Sequence, residues 1–62
     1  MVIFENRNYR IEEFAGWSIP CRYAVDRKEH SNGSICLVNI GWAQERGAAF
    51  RLMNEHWEKE ND

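Results

Sequence analysis

Sixty-two residues allow one domain, and a chain this short buries only roughly 60% of the surface its unfolded form exposes. Its eight basic and ten acidic residues leave a net charge of −2. That balance lacks both the basic excess of a non-specific nucleic-acid binder and the strong acidity of a duplex mimic. Residues 1–30 balance at five of each sign, so the deficit lies in residues 31–62, with Glu55, Glu58, Glu60 and Asp62 forming an acidic tail.

Aromatic content is heavy: Phe4, Tyr9, Phe14, Trp17, Tyr23, Trp42, Phe50 and Trp57. A tiny core encloses only part of it, which leaves ring surface for a binding face. The opening Met-Val-Ile-Phe-Glu-Asn-Arg does not read as a signal peptide, and no apolar run approaches the ~20 residues of a membrane helix. A cytoplasmic protein with reduced thiols is expected.

In chain order, residues 2–4 form a short β-prone run, and Glu5-Asn6-Arg7-Asn8 suits a tight turn. Residues 9–14 read as a strand with Tyr9, Ile11 and Glu13 on one face and Arg10, Glu12 and Phe14 on the other. Ala15-Gly16 interrupts it. Residues 17–27 form a third strand with Ile19, Cys21, Tyr23 and Val25 at period two. Pro20 makes its first part an edge or a bulge. Residues 28–34 read as a loop whose turn signal is Asn32-Gly33. Residues 34–40 are apolar on both parities, which suits a central strand covered on both faces, or one with a face covered by a partner.

Gly41 marks a change of period. Over residues 44–60, Ala49, Phe50, Leu52, Met53, His56 and Trp57 recur at helical spacing, with Gly47, Arg51, Asn54, Glu55 and Glu58 opposite. The Arg51–Glu55 and Glu55–Lys59 spacings add i,i+4 support. The expected architecture is α+β, a single domain over residues 1–62. It consists of a three- or four-stranded antiparallel β-meander followed by one C-terminal amphipathic helix packed on the sheet.

The chemistry-bearing residues point away from catalysis. Cys21 and Cys36 lack a catalytic signature, and a one-sheet, one-helix domain has little room for a cleft. Two cysteines and two histidines match a zinc site in number but not in spacing, so no metal or cofactor is expected. A two-residue Asn32-Gly33 turn sets Cys36 opposite Glu29, and Cys21 beyond the strand, which disfavours a disulfide. Adjacent Glu12 and Glu13 point to opposite faces and cannot form an acid–base pair.

Binding is better supported. Tyr9, Arg10, Trp17, Arg22, Tyr23 and Arg27 interleave aromatic and guanidinium groups, a mixture that protein interfaces favour. The same groups could stack unpaired bases, but Glu5, Glu12, Glu13, Asp26 and Glu29 are interspersed among them, which favours a protein partner over nucleic acid. Ile35 and Leu37, or Phe50 and Trp57, are candidate surfaces for a homodimer. The acidic tail is a further candidate for a basic partner.

The chain carries no family motif. In style (short, aromatic-rich and without an export signal) it resembles the small accessory proteins of bacteriophages and other mobile elements. That resemblance implies a non-catalytic inhibitor that binds and blocks a larger host protein in the host cytoplasm.

Overall fold

The computed structural model describes residues 1–16 and 19–61, with residues 19–21 described by backbone course alone. Four strands, β1 (Val2–Glu5), β2 (Tyr9–Gly16), β3 (Ile19–Ser31) and β4 (Ser34–Ala43), precede one helix, α1 (Arg46–Glu60). The strands pair antiparallel in the order β1-β2-β3-β4, and α1 packs on the β3 and β4 side of one face. This is the expected α+β meander.

The β1–β2 turn is made by a side chain. Asn6 Oδ1 accepts from the backbone N–H groups of Asn8 and Tyr9 at 2.8 and 2.7 Å. It is an Asx turn, achieved without positive φ at these residues. The β3–β4 turn depends on backbone freedom instead. Asn32 and Gly33 have φ of 50° and 81°, the left-handed pair that matches strand twist in a two-residue hairpin. Residues 28–31, expected in a loop, therefore continue β3 to the turn. Cys36 stands opposite Glu29 as the two-residue turn requires.

β4 corrects the expected placement of its segment. It is an edge strand, paired on one side alone. Its doubly apolar pattern has two causes. A bulge between Asp26↔Asn39 and Val25↔Gly41 shifts the phase, and Ile35 and Leu37 are apolar without being covered. The Asn39 amide repairs the interrupted ladder by donating to the Val25 and Gly41 carbonyls, each at 3.3 Å. Pro20 falls within the register shift between Phe14↔Arg22 and Gly16↔Ile19, where the β2–β3 ladder is already interrupted.

Alternation decides which face receives the helix. Tyr9, Ile11, Tyr23 and Val25 line one face and meet Ala49 and Met53 in the core, with Ile3, Phe4, Ile40, Ala43, Phe50 and Leu52 packed around them. The residues expected on the far side of α1 (Gly47, Arg51, Asn54, Glu55 and Glu58) are exposed. Glu45 at the N-cap makes no side-chain cap bond, whereas Asn61 closes the other end by donating to the Trp57 carbonyl from its backbone N–H and its amide. Among the described residues neither expected i,i+4 ion pair closes. The side-chain contact at that spacing is between His56 Nε2 and a Glu60 carboxylate oxygen, at 3.6 Å.

Candidate interaction surface

The face of the sheet away from α1 is uncovered. Antiparallel register assembles it: Phe14 stands opposite Arg22, Arg10 opposite Asp26, and Ala24 between Glu12 and Trp42. At one end, Phe14 and Trp42 place their rings 5.7 Å apart at 45°, and the Arg22 guanidinium lies 5.9 Å from the Trp42 centroid. Both rings are exposed, Trp42 by 53%. Among the described residues no carboxylate forms an ion pair with Arg22.

The acids on this face are engaged. Glu5 pairs with Lys28 at 2.7 Å, Glu12 with Arg10 at 3.4 Å, and Asp26 accepts from the Asn39 amide at 3.0 Å. The Lys28 hydrogen bond, and then its charge, hold the Glu5 carboxyl below the ordinary glutamate range. Arg10 Nε is shielded from solvent without a hydrogen-bond partner, an orphan donor within this face.

Tyr9 and His56 form the main polar joint on the helix side. The Tyr9 hydroxyl and His56 Nδ1 lie 2.6 Å apart, and Glu60 approaches the other ring nitrogen. With Tyr9 donating, His56 carries its proton on Nε2, toward Glu60. Burial pushes the Tyr9 phenol above its ordinary range, and the Glu60 charge adds to the shift. A phenol kept neutral in this way braces the helix against the sheet. Tyr23 makes a different link, between β2 and β3 within the sheet, by donating to Glu13 at 2.8 Å.

The expected partner-binding set is therefore divided. Arg10 and Arg22 share the open face. Tyr9 and Tyr23, at 4% and 7% exposure, lie beneath the helix, because their odd positions fall on the parity that also carries Ile11 and Val25. Arg27 is half-buried on that same side and pairs with Glu29 at 3.3 Å. Trp17 lies outside the described residues.

Phe14 and Trp42 are the residues that sequence reasoning missed. Their signal was parity with Arg22, given the cross-strand register. Of the proposed second contact set, Ile35 and Leu37 are exposed on β4. Phe50 and Trp57 belong to the opposite side of the molecule, where Phe50 packs edge-on against Phe4 at 5.3 Å and Trp57 stands 6.4 Å from Tyr9. Glu55, Glu58 and Glu60 of the acidic tail are exposed, and Asp62 lies outside the described residues.

Cys36 is a free, exposed thiol, and the Cys21 side chain is outside the described set. Among the described residues no three of histidine, cysteine, aspartate or glutamate converge on a point that could hold a metal. No helix there is long and apolar enough to cross a membrane. The chain matches no protein-family model, no curated protein and no solved structure.

Proposed function

We propose that this chain is a non-catalytic interaction module that binds another protein through the open face of its sheet. The observation that carries this reading is the Phe14–Arg22–Trp42 cluster: two exposed rings and a guanidinium without a carboxylate partner among the described residues. Arginine and tryptophan are the residues on which protein interfaces concentrate their binding energy. A guanidinium held over an aromatic ring keeps its donors available for a bidentate carboxylate. The partner surface that fits presents an aspartate or glutamate within an apolar rim.

Such a module acts by covering what it binds. An inhibitor of a larger host protein, of the kind that phage accessory proteins provide, is the mode of action we favour. Single-stranded nucleic acid is the second reading, because paired rings on an open sheet face also suit base stacking. The engaged acids Glu5, Glu12 and Asp26 on the same face weigh against it, since they would repel a phosphate backbone.

The test compares the wild-type chain with Arg22→Glu on the open face and Arg51→Glu on the exposed side of α1. Captured partners are expected to be lost from the first variant and kept by the second. Retention of every partner by Arg22→Glu would sink the reading. Binding to mixed oligonucleotides that weakens steeply with salt would replace it with the second.

A further inference from the structure

We infer that β4 is a self-pairing edge, and that two copies of this chain join their β4 strands antiparallel about a two-fold axis through Cys36. The two edges of the sheet differ. β1 has four residues, carries a register shift, ends on Glu5 and has the N-terminal ammonium beside it. β4 has ten residues, Ser-Ile-Cys-Leu-Val-Asn-Ile-Gly-Trp-Ala, without a charged side chain or a proline. Charges, prolines and shortness are the devices that blunt an edge, and β4 has one bulge in their place.

The ladder shows which groups await a partner. Lys28 donates its backbone N–H to Asn8, on the β2 side, so Lys28↔Leu37 is a pair without mutual backbone bonds. Alternation then directs the N–H and C=O groups of Ile35 and Leu37 away from β3, along the outer edge. What satisfies them is an extended backbone.

The occupant follows from symmetry and charge. The regular part of the edge runs from the turn to the bulge, residues 34–38, and its midpoint is Cys36. A two-fold axis there pairs Ile35 with Leu37 of the second copy and Leu37 with Ile35. These residues are 58% and 45% exposed in the single chain, and pairing joins them into one apolar cluster. A strand without charge repels its own copy in no register, and it offers a foreign charged strand nothing to recognise.

Surface area agrees. The chain exposes 4686 Å², about 500 Å² more than the roughly 4,200 Å² expected of a compact monomer of 7.4 kDa. Pairing the β4 edges covers part of that excess on each copy, which leaves the interface below the roughly 1,200 Å² at which specific interfaces begin. The dimer is accordingly a weak one, formed reversibly with concentration.

The register supplies its own probe. Cys36 meets its symmetry mate in a non-hydrogen-bonded pair, with Cα atoms about 4.5 Å apart, inside the roughly 4.4–6.8 Å that a disulfide spans. The experiment measures native mass by light scattering across a hundredfold concentration series for wild type, Leu37→Lys and Trp57→Lys. Circular dichroism confirms that each variant is folded. A mass rising toward twice 7.4 kDa is expected for wild type and Trp57→Lys, with the Leu37→Lys midpoint shifted at least tenfold to higher concentration.

In a Cys21→Ser background, diamide takes up the two thiol hydrogens as its hydrazine. It should convert the dimer to a Cys36-linked species, and fail to do so with Leu37→Lys. A monomer at every concentration, a dimer broken by Trp57→Lys and not by Leu37→Lys, or a dimer that resists Cys36 linkage would each overturn the inference.

Discussion

Gly41 offers a sharp test of how the helix sits on the sheet. A Cβ built at this position would come within 2.7 Å of Leu52 Cδ1, closer than real contacts allow. The glycine is thus required by the approach of α1 and not by its own backbone angles. Gly41→Ala adds crowding near the lower end of the usual overpacking range, about 1.5 kcal/mol, because the atom it meets is the end of a half-buried side chain. Removing the glycine's freedom in the unfolded chain returns about 0.5 kcal/mol, so the net loss is about 1 kcal/mol.

Leu52→Ala alone costs about 2 kcal/mol, at the low end for a leucine that is only partly buried. In that background the crowding is gone, and Gly41→Ala becomes stabilising by about 0.5 kcal/mol. A chain of this size has about 3–9 kcal/mol to lose, so all four proteins of the cycle remain foldable. Urea midpoints, followed by tryptophan fluorescence and circular dichroism, give the four free energies. The reasoning predicts a coupling of about 1.5 kcal/mol, well above the roughly 0.3–0.5 kcal/mol scatter of additive pairs. The same sign for Gly41→Ala in both backgrounds would refute the Gly41–Leu52 contact and with it the placement of α1.

Other predictions follow from the polar joints and the turn. Tyr9→Phe removes the bond to His56 and should cost about 1 kcal/mol in urea unfolding at pH 7. Because the folded phenol titrates above its unfolded value near 10, its contribution is intact below that pH and fades as pH rises through the folded value. Alkaline melting curves of Tyr9→Phe should therefore fall less than those of wild type. Glu5 has the opposite sign: its lowered carboxyl stabilises above the unfolded value near 4.3, and the effect disappears as pH falls toward the folded one. Glu5→Gln should flatten the acid limb, a difference that melting between pH 2 and 5 would reveal. Gly33→Ala meets nothing in space but keeps a φ of 81°, so it should cost about 1–2 kcal/mol from backbone strain alone, read as a lowered melting temperature.

Much of the fold was legible because local rules agreed with one another. The spacing of Ala49, Leu52, Met53 and His56 marked the helix and its buried side. Asn32-Gly33 marked a two-residue turn and thereby the register as far as Asn39. What local rules could not supply was the pairing that turns parity into a face. Arg10 and Arg22 share a side with Phe14 and Trp42 because Phe14↔Arg22 and Ala24↔Trp42 are in register, whereas Tyr9 and Tyr23 fall with Ile11 and Val25. Reading aromatic and arginine residues as one surface ignored that alternation. The bulge at Asn39–Ile40 was invisible for a related reason: an extra residue in one strand looks, along a single chain, like a strand apolar on both sides.

The two proposed surfaces occupy opposite ends of β4, which yields a prediction that separates them. Cys36 and Trp42 are six residues apart, or about 20 Å at roughly 3.3 Å per residue. A two-fold axis at Cys36 therefore sets two Phe14–Arg22–Trp42 clusters about 40 Å apart, both on the open side of one continuous sheet and both uncovered. The dimer would be bivalent, and bivalency raises apparent affinity for a densely displayed partner by about 10²–10⁴ without a new contact. Leu37→Lys should thus weaken binding to a partner-coated surface at least tenfold while leaving the per-site affinity in dilute solution unchanged. Arg22→Glu should weaken both. Biosensor traces at high and low coating density, beside solution titrations, distinguish these cases. An equal loss of solution affinity in the two variants would show that the β4 edge itself grips the partner, and the division between an assembling edge and a binding face would have to be abandoned.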